Sequence, residues 1–143
     1  MIYAVIDTNV IVSSYLTHHE DSATRQVVNA VYEGRINPLY NAKIIAEYRE
    51  VLSRDYIQPH EKYPGEFEEL IQMIIEHGTN LEATPYPESM PDEKDRVFFE
   101  VALSAQDDDA KLVTGNIKHF PQVHFVVTPG QMMSLLRDTS VGL

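Results

Sequence analysis

The chain has 143 residues, contains no cysteine, and carries 22 Asp and Glu against 11 Lys and Arg, for a formal net charge of −11. The absence of cysteine excludes disulfides, thiolate metal sites and a cysteine nucleophile. With 43% hydrophobic and 23% charged residues, the composition is that of a globular protein, and the length fits one compact domain over residues 1–143.

The same composition bears on location and partners. No apolar segment approaches the roughly 20 residues that a membrane helix needs, and the N-terminus lacks the basic region of a signal peptide. We therefore expect a cytoplasmic protein without membrane association. The acidic charge disfavours non-specific nucleic-acid binding. It leaves room for a nucleic-acid enzyme, because carboxylates gathered at one site can bind divalent metal.

Hydrophobic patterning in the first half of the chain predicts strands that alternate with helices. Ser22 and Asn41 each precede an amphipathic stretch and are suited to cap a helix, while Gly34 is suited to end one. The predicted elements are a strand at Ile2–Ile6, helices at residues 10–15 and 24–33, a strand at Ile36–Tyr40, and a helix at residues 42–54.

The alternation continues in the second half. Three prolines between Pro85 and Pro91 predict a loop, and Thr128-Pro129-Gly130-Gln131 has the pattern of a capping box. The predicted elements are helices at residues 64–77, 92–105 and 129–136, strands at residues 80–84, 111–114 and 124–127, and a frayed tail from about residue 138.

Strands that alternate with helices are typical of a parallel sheet covered by helices on both faces. In such sheets, functional groups gather just beyond the carboxyl ends of the strands. The residues to consider first are therefore Asp7-Thr8-Asn9, after the first strand, and Thr114-Gly115-Asn116, after a later one.

Asp7 is the strongest single indication of a site. It follows five apolar strand residues and precedes more apolar sequence, and a carboxylate in such a place is paired, caps a helix or coordinates a cation. Thr8 and Asn9 supply small polar groups that can orient it. The alternative is that Asp7 only caps the following helix.

Glu47 lies in the predicted helix over residues 42–54. At 100° per residue, Glu47 falls at the edge of the apolar stripe, whereas Glu50 lies nearly opposite the stripe and faces water. Glu47 can therefore lean over the sheet edge. The alternative is a boundary glutamate that pairs with Lys43 or Arg54.

The predicted helix over residues 92–105 begins with Asp92 and Asp95. Both can cap this helix and complement its dipole, or the helix start can present Asp95 to a metal shared with other acids. Asn116 offers a neutral oxygen ligand, unless it only forms a Gly-Asn turn. Lys118 and His119 follow it and are suited to hold a phosphate. The run 107–109 and the pair His18-His19 are expected to be solvated.

Four segments together resemble the PIN domain, in that family's order and spacing, across essentially the whole chain. The first contains Asp7, the second Glu47, the third Asp95 and the fourth Asn116. The matching segments are IYAVIDTNV at residues 2–10, AKIIAEYREVLSR at 42–54, PDEKDRVFFEVALSA at 91–105, and LVTGNIKHFP at 112–121. The closest branch is that of toxin components of toxin–antitoxin systems.

The resemblance implies a three-layer α/β/α sandwich around a mainly parallel sheet of about five strands. It also implies a ribonuclease, a hydrolase that depends on Mg²⁺ or Mn²⁺, with Asp7, Glu47 and Asp95 as metal-binding acids. Asp92 is accessory. Thr8, Asn9 and Thr114 match the small polar positions that orient these acids. Asn116 matches a fourth position that is Asp in many members, so this site carries one negative charge fewer.

Within that resemblance, Asp7 and Asp95 are expected to bind the metal directly. Glu47 would bind through water or position the nucleophile, Asn116 would orient a coordinated water, and Lys118 would contact the phosphate. The implied partners are an RNA substrate, an antitoxin protein that reaches the acids with Arg or Lys, and a second copy of the chain.

Two other functions compete with this interpretation. The first is a PIN-fold module that binds RNA or protein and is weakly active or inactive, which Asn116 and the net charge favour. The second is a phosphatase of the haloacid-dehalogenase type with Asp7 as nucleophile, which needs a second Asp where Asn9 stands. The charge cluster of Asp7, Glu47 and Asp95 favours a nuclease over both.

Overall fold

In the computed structural model, which describes the backbone of residues 1–141 and the side chains of residues 1–138, the strands form one parallel sheet. Every pairing between neighbouring strands is parallel, and the strand order in the described chain is β3-β2-β1-β4-β5. The strands are β1 (Ile2–Ile6), β2 (Ile36–Tyr40), β3 (Thr79–Asn80), β4 (Lys111–Val113) and β5 (Val126–Val127).

Helices pack against this sheet and against one another, so the predicted α/β fold around a parallel five-stranded sheet is confirmed for the described residues. Helix α2 contacts α1 and α6, and α3 contacts α1, α4 and α5. The helices are α1 (Thr8–Leu16), α2 (Ala23–Tyr32), α3 (Ala42–Leu52), α4 (Glu66–His77), α5 (Arg96–Ser104) and α6 (Pro129–Val141). None of them has the length and apolar character that crossing a bilayer requires, within the part of the chain described.

Side-chain caps fix several helix starts where the sequence predicts them. The Ser22 hydroxyl accepts a hydrogen bond from the amide of Arg25, and the Asn41 carbonyl oxygen accepts one from the amide of Ile44. At the start of α6, the Thr128 hydroxyl and the Gln131 side chain each accept a hydrogen bond from the other residue's amide. This reciprocal pair is the predicted capping box.

Several boundaries differ from the sequence prediction, and the strand predicted at residues 124–127 is reduced to β5, Val126–Val127. The strand predicted at residues 80–84 is reduced to β3, because the chain leaves the sheet edge after Asn80 and enters the proline-rich loop. The helix predicted from residue 92 begins as a 3₁₀ turn over Glu93–Asp95 and becomes α-helical at Arg96. Helix α6 extends to Val141 rather than residue 136, so the predicted frayed tail is wrong over residues 138–141, which are helical, and its last two residues lie outside the described part of the chain.

Gly78 is a position where the fold has no room for a side chain. A Cβ there would lie 2.2 Å from the carbonyl oxygen of Pro38 and 2.5 Å from that of Ile74. Both atoms are backbone, so relief requires that α4 move away from β2. We expect Gly78→Ala to lower the free energy of unfolding by about 2–4 kcal/mol.

Chemical denaturation measures this effect directly. Gly130→Ala is the matched control, because the nearest atom to a Cβ at Gly130 is the Thr128 hydroxyl oxygen at 4.0 Å. In the first turn of a helix this change should be neutral or slightly stabilising. Equal stability of the two variants would contradict the close approach of α4 to β2.

Candidate functional site

The carboxyl ends of β1 and β4 lie side by side at the centre of the sheet and carry the first two polar groups of the site. The parallel ladder continues one residue beyond β1, where the amide of Asp7 donates to the carbonyl of Val113 at 2.9 Å. Next to it, the Thr114 hydroxyl donates to Asp7 Oδ2 at 2.8 Å. The residues that follow the two strands therefore meet, as the sequence predicts.

Asp7 is a buried carboxyl group without a cationic partner among the described side chains. It is 5% exposed, and burial is the main cause that raises its pKa from 3.8 to about 6. The charges of Asp95 and Glu47 raise this pKa further, whereas the hydrogen bond from Thr114 lowers it. Asp7 occupies the N-cap position of α1, but its side chain accepts no capping hydrogen bond, so capping does not explain its presence.

Glu47 reaches the same edge from α3. It accepts a short hydrogen bond from the hydroxyl of Thr8, and its pKa is raised, first by burial and then by the charge of Asp95. The alternative, an ion pair with Arg54, is wrong because Arg54 pairs with Glu50 at 2.8 Å. Glu50 is exposed, as the helical wheel predicts. Among the described side chains, Lys43 does not pair with Glu47 either.

Asp92 and Asp95 have different roles at the start of the 3₁₀ turn. The carboxylate of Asp92 accepts a hydrogen bond from the amide of Lys94 at 3.1 Å, so the capping alternative holds for Asp92. The side chain of Asp95 caps nothing and is 16% exposed. Burial and the nearby charge of Asp92 raise the pKa of Asp95, whereas His119 lowers it. The carboxylate of Asp95 therefore does not cap the helix, and it contacts His119 instead.

The sequence does not predict the contacts of His119, which it suggests only as a phosphate-binding group. Its Nδ1 atom lies 3.3 Å from Asp95 Oδ2 and 3.8 Å from Asp92 Oδ2. One ligand atom from each of these three residues lies within 4.8 Å of the others. The spacing of His119 from Asn116 indicates only the contact between these two side chains, because residues three apart eclipse each other in a 3₁₀ turn.

Asn116 is held between Thr114 and His119. Its amide donates to the Thr114 hydroxyl oxygen at 3.0 Å, and its side-chain nitrogen lies 2.9 Å from His119 Nε2. Asn9 supports the same loop, because its side-chain oxygen accepts a hydrogen bond from the amide of Gly115 at 3.2 Å. Asn116 is thus linked to Asp95 through one imidazole ring, in addition to forming the predicted Gly-Asn turn.

The remaining predicted positions lie where the sequence suggests. Lys118 is exposed beside His119 and, among the described residues, has no carboxylate partner. The acids of residues 107–109 and the pair His18-His19 are also exposed. Among the described side chains, neither segment forms an ion pair with the acids of the site, and Asp109 pairs with Lys111.

The donor set fits a hard divalent cation. The charge of Asp95 raises the pKa of both Asp7 and Glu47, so the three carboxylates disfavour one another's ionisation. Among the described residues, the groups whose ligand atoms all lie within 4.8 Å of one another are those of Asp92, Asp95 and His119. Carboxylate oxygens are the ligands that Mg²⁺ and Mn²⁺ prefer. A cation among these groups would offset both their repulsion and the burial of Asp7. We therefore name Asp7, Glu47 and Asp95 the carboxylate centre.

Comparison with known proteins gives one match. A family model described as PIN domain matches residues 3–118 of the chain. This range includes the carboxylate centre and Asn116 and ends one residue before His119. No curated protein and no solved structure matches the chain.

Proposed function

The chain belongs to the PIN-domain family, whose members are generally nucleases, and on that premise we propose that it is a metal-dependent endoribonuclease. The reaction would be hydrolysis of RNA phosphodiester bonds with Mg²⁺ or Mn²⁺. The observation that carries this proposal is the carboxylate centre, in which the buried carboxyl group of Asp7 has two acidic neighbours and no cationic partner among the described side chains.

Each residue of the site has a distinct part in this proposal. When bound, the cation supplies the charge that makes water more acidic and that offsets negative charge on the phosphoryl oxygens. Asp7 and Asp95 would hold it directly, and Glu47 would hold it through water or position the attacking water. Thr114 and Thr8 fix the rotamers of Asp7 and Glu47 by hydrogen bonds. Hydrolysis of this kind leaves a 5′-phosphate and a 3′-hydroxyl.

The loop after β4 completes the site. Asn116 takes the place of the fourth acid and, through His119, is linked to Asp95. Asp92 supports the same imidazole ring at 3.8 Å. Lys118, which is exposed beside these groups, would contact the substrate phosphate. The lower charge at Asn116 favours the second candidate function, a PIN-fold module that binds RNA or protein without cleaving it.

Cleavage of labelled RNA in Mg²⁺, Mn²⁺ and EDTA tests the proposal, with Glu47→Gln and Glu50→Gln as a matched pair. We expect cleavage that EDTA abolishes, and a loss of about 10²-fold or more in rate for Glu47→Gln. Glu50→Gln should behave like the unaltered chain, because Glu50 faces solvent on the same helix. Absence of cleavage in either metal, with intact folding, would favour the binding module.

We further propose that the protein is the toxin of a toxin–antitoxin pair in the cytoplasm. The resemblance of the four segments supports this, and the acidic charge suits an antitoxin whose Arg or Lys side chains reach the carboxylate centre. On this proposal, expression of the chain should arrest growth, and co-expression of a small antitoxin encoded next to it should relieve the arrest and protect RNA from cleavage. No growth effect from the active chain would contradict the toxin role. Dimerisation stays a prediction.

A further inference from the structure

An open groove of about 890 Å³ lies along the same edge of the sheet as the carboxylate centre. Asn41 and Asn80, which form part of its lining, stand just beyond and at the carboxyl ends of β2 and β3. Because the strand order is β3-β2-β1-β4-β5, the groove lies beside the site on the β2 and β3 side. Neighbouring strands are about 4.8 Å apart, so β3 lies roughly 10 Å from β1.

The segments that carry two of the acids also form walls of this groove. Lys43 lines it one helical turn before Glu47 on α3, and Lys94 lines it next to Asp95. The three acids of the carboxylate centre are not among the lining residues, so the groove adjoins the centre through α3 and the 3₁₀ turn and does not contain it. We call this groove the lysine groove, after Lys43 and Lys94.

Both lysines of the groove lack a carboxylate partner among the described side chains. Of the eleven Lys and Arg residues of the chain, five pair with carboxylates, namely Arg35, Arg49, Arg54, Arg96 and Lys111. Among the described side chains, four lysines have no carboxylate partner. Three of them flank the site, and the fourth precedes α4; they are Lys43, Lys94, Lys118 and Lys62. In a chain of net charge −11, free cations beside an acidic centre indicate an anionic ligand.

The formal charges that line the groove balance, because its three acids, Glu82, Glu93 and Glu100, are matched by three cations, Lys43, Lys94 and Arg96. Arg96 binds Glu93 at 2.7 Å and lies 3.9 Å from Glu100, so two of the lining acids are occupied by one internal cation. Lys43 and Lys94 are both exposed and available to a ligand. The groove therefore presents less negative charge than its acidic residues alone suggest.

The rest of the lining suits a nucleic-acid backbone rather than a stacked base. Leu81 and Val97 offer apolar contact, and Asn41 and Asn80 offer amide groups. None of the lining residues is aromatic, so the stacking platform typical of base recognition is missing. Amide side chains can pair with the ribose 2′-hydroxyl, which distinguishes RNA from DNA.

We propose that the lysine groove holds the single-stranded RNA that adjoins the scissile phosphate, with backbone phosphates on Lys43 and Lys94. This inference rests on the proposed nuclease function and extends it by a substrate path. Because phosphate contacts carry no sequence information, the groove would position RNA of any sequence.

The test measures equilibrium binding of fluorescent single-stranded RNA to chains that all carry Asp7→Asn, so that cleavage does not interfere. We expect Lys43→Gln combined with Lys94→Gln to weaken binding about tenfold, equally for two unrelated sequences. The slope of log affinity against log salt should fall by about 1.4, since each phosphate contact contributes about 0.7 on single strands. Lys62→Gln combined with Arg137→Gln removes the same charge elsewhere and should change little.

Cleavage by the otherwise unaltered chain, run in parallel, separates this inference from the nuclease proposal. The inference is overturned if the variant with Lys43→Gln and Lys94→Gln (the groove pair) binds RNA as tightly as the variant with Lys62→Gln and Arg137→Gln (the control pair). It is also overturned if the chain with Asp7→Asn alone binds no RNA. In either case a protein segment becomes the alternative occupant of the groove. If the groove pair weakens binding while no chain cleaves RNA in either metal, the groove stands and the nuclease proposal fails. Equal melting temperatures of the two pairs exclude a folding defect.

Discussion

Asp7→Asn is expected to lower the rate of RNA cleavage by about 10³-fold while it makes the metal-free protein more stable. The substitution keeps the shape of the side chain, and the amide oxygen can still accept the hydrogen bond from Thr114 that the carboxylate accepts at 2.8 Å. It removes the negative charge that would hold the cation. Rate measurements on labelled RNA and thermal melting in EDTA measure the two effects on the same preparation.

The expected gain in stability comes from the position of Asp7. Burial raises its pKa from 3.8 to about 6, so the folded state disfavours the charged form relative to the unfolded chain. Above pH 6, a pKa difference of this size lowers the free energy of unfolding by about 3 kcal/mol. The new amide group also needs a hydrogen-bond partner, which offsets part of this gain. We therefore expect Asp7→Asn to raise the free energy of unfolding by about 1–3 kcal/mol.

Asp107→Asn is the control for both measurements, since Asp107 is exposed in the run over residues 107–109. It should leave cleavage and melting temperature nearly unchanged. Full activity of Asp7→Asn would contradict the role of the carboxylate centre. Lower stability of Asp7→Asn would show that the charge of Asp7 is compensated in the metal-free protein.

Much of the site could be predicted because it depends on local periodicity. A carboxylate directly after the apolar strand β1 must lie at the sheet edge. The helical wheel separates Glu47 from Glu50 because α3 has a continuous apolar stripe, and the structure places Glu47 half-buried and Glu50 exposed. Asn41, Ser22 and Thr128 mark helix starts because side-chain caps act over three residues.

The rest of the site depends on contacts between segments distant in sequence. The contact of His119 with Asp92 and Asp95 requires that the loop after β4 meet the start of α5, and no local pattern encodes that meeting. Whether Asp92 or Asp95 caps the helix depends on the 3₁₀ turn, which periodicity does not distinguish from an α-helix. Strand β3 is short because it lies at the edge of the sheet, where it forms hydrogen bonds with a neighbouring strand on one side only.

Stabilisation by Mn²⁺ should be larger at about pH 8 than at about pH 5, and Asp7→Asn should remove most of it. The folded-state pKa of Asp7 lies above its unfolded value. The folded state therefore binds more protons than the unfolded chain between pH 3.8 and about 6, and stability falls as pH rises through that window. The pKa values of Glu47 and Asp95 are shifted in the same direction, so the metal-free protein loses stability as the centre ionises.

A cation acts against that loss, because it binds the ionised carboxylates and competes with protons at low pH. At a free concentration of 100 times its dissociation constant, it should add about 2.7 kcal/mol to the free energy of unfolding. For a chain of this length, that is a rise in melting temperature of roughly 6–12 °C at about pH 8. Melting curves in Mn²⁺ and in EDTA at both pH values measure it, with Asp107→Asn as control. If Mn²⁺ raises the melting temperature equally at both pH values, or equally in Asp7→Asn, the cation does not bind at Asp7. The reason is that a ligand that titrates in this pH window couples cation binding to pH.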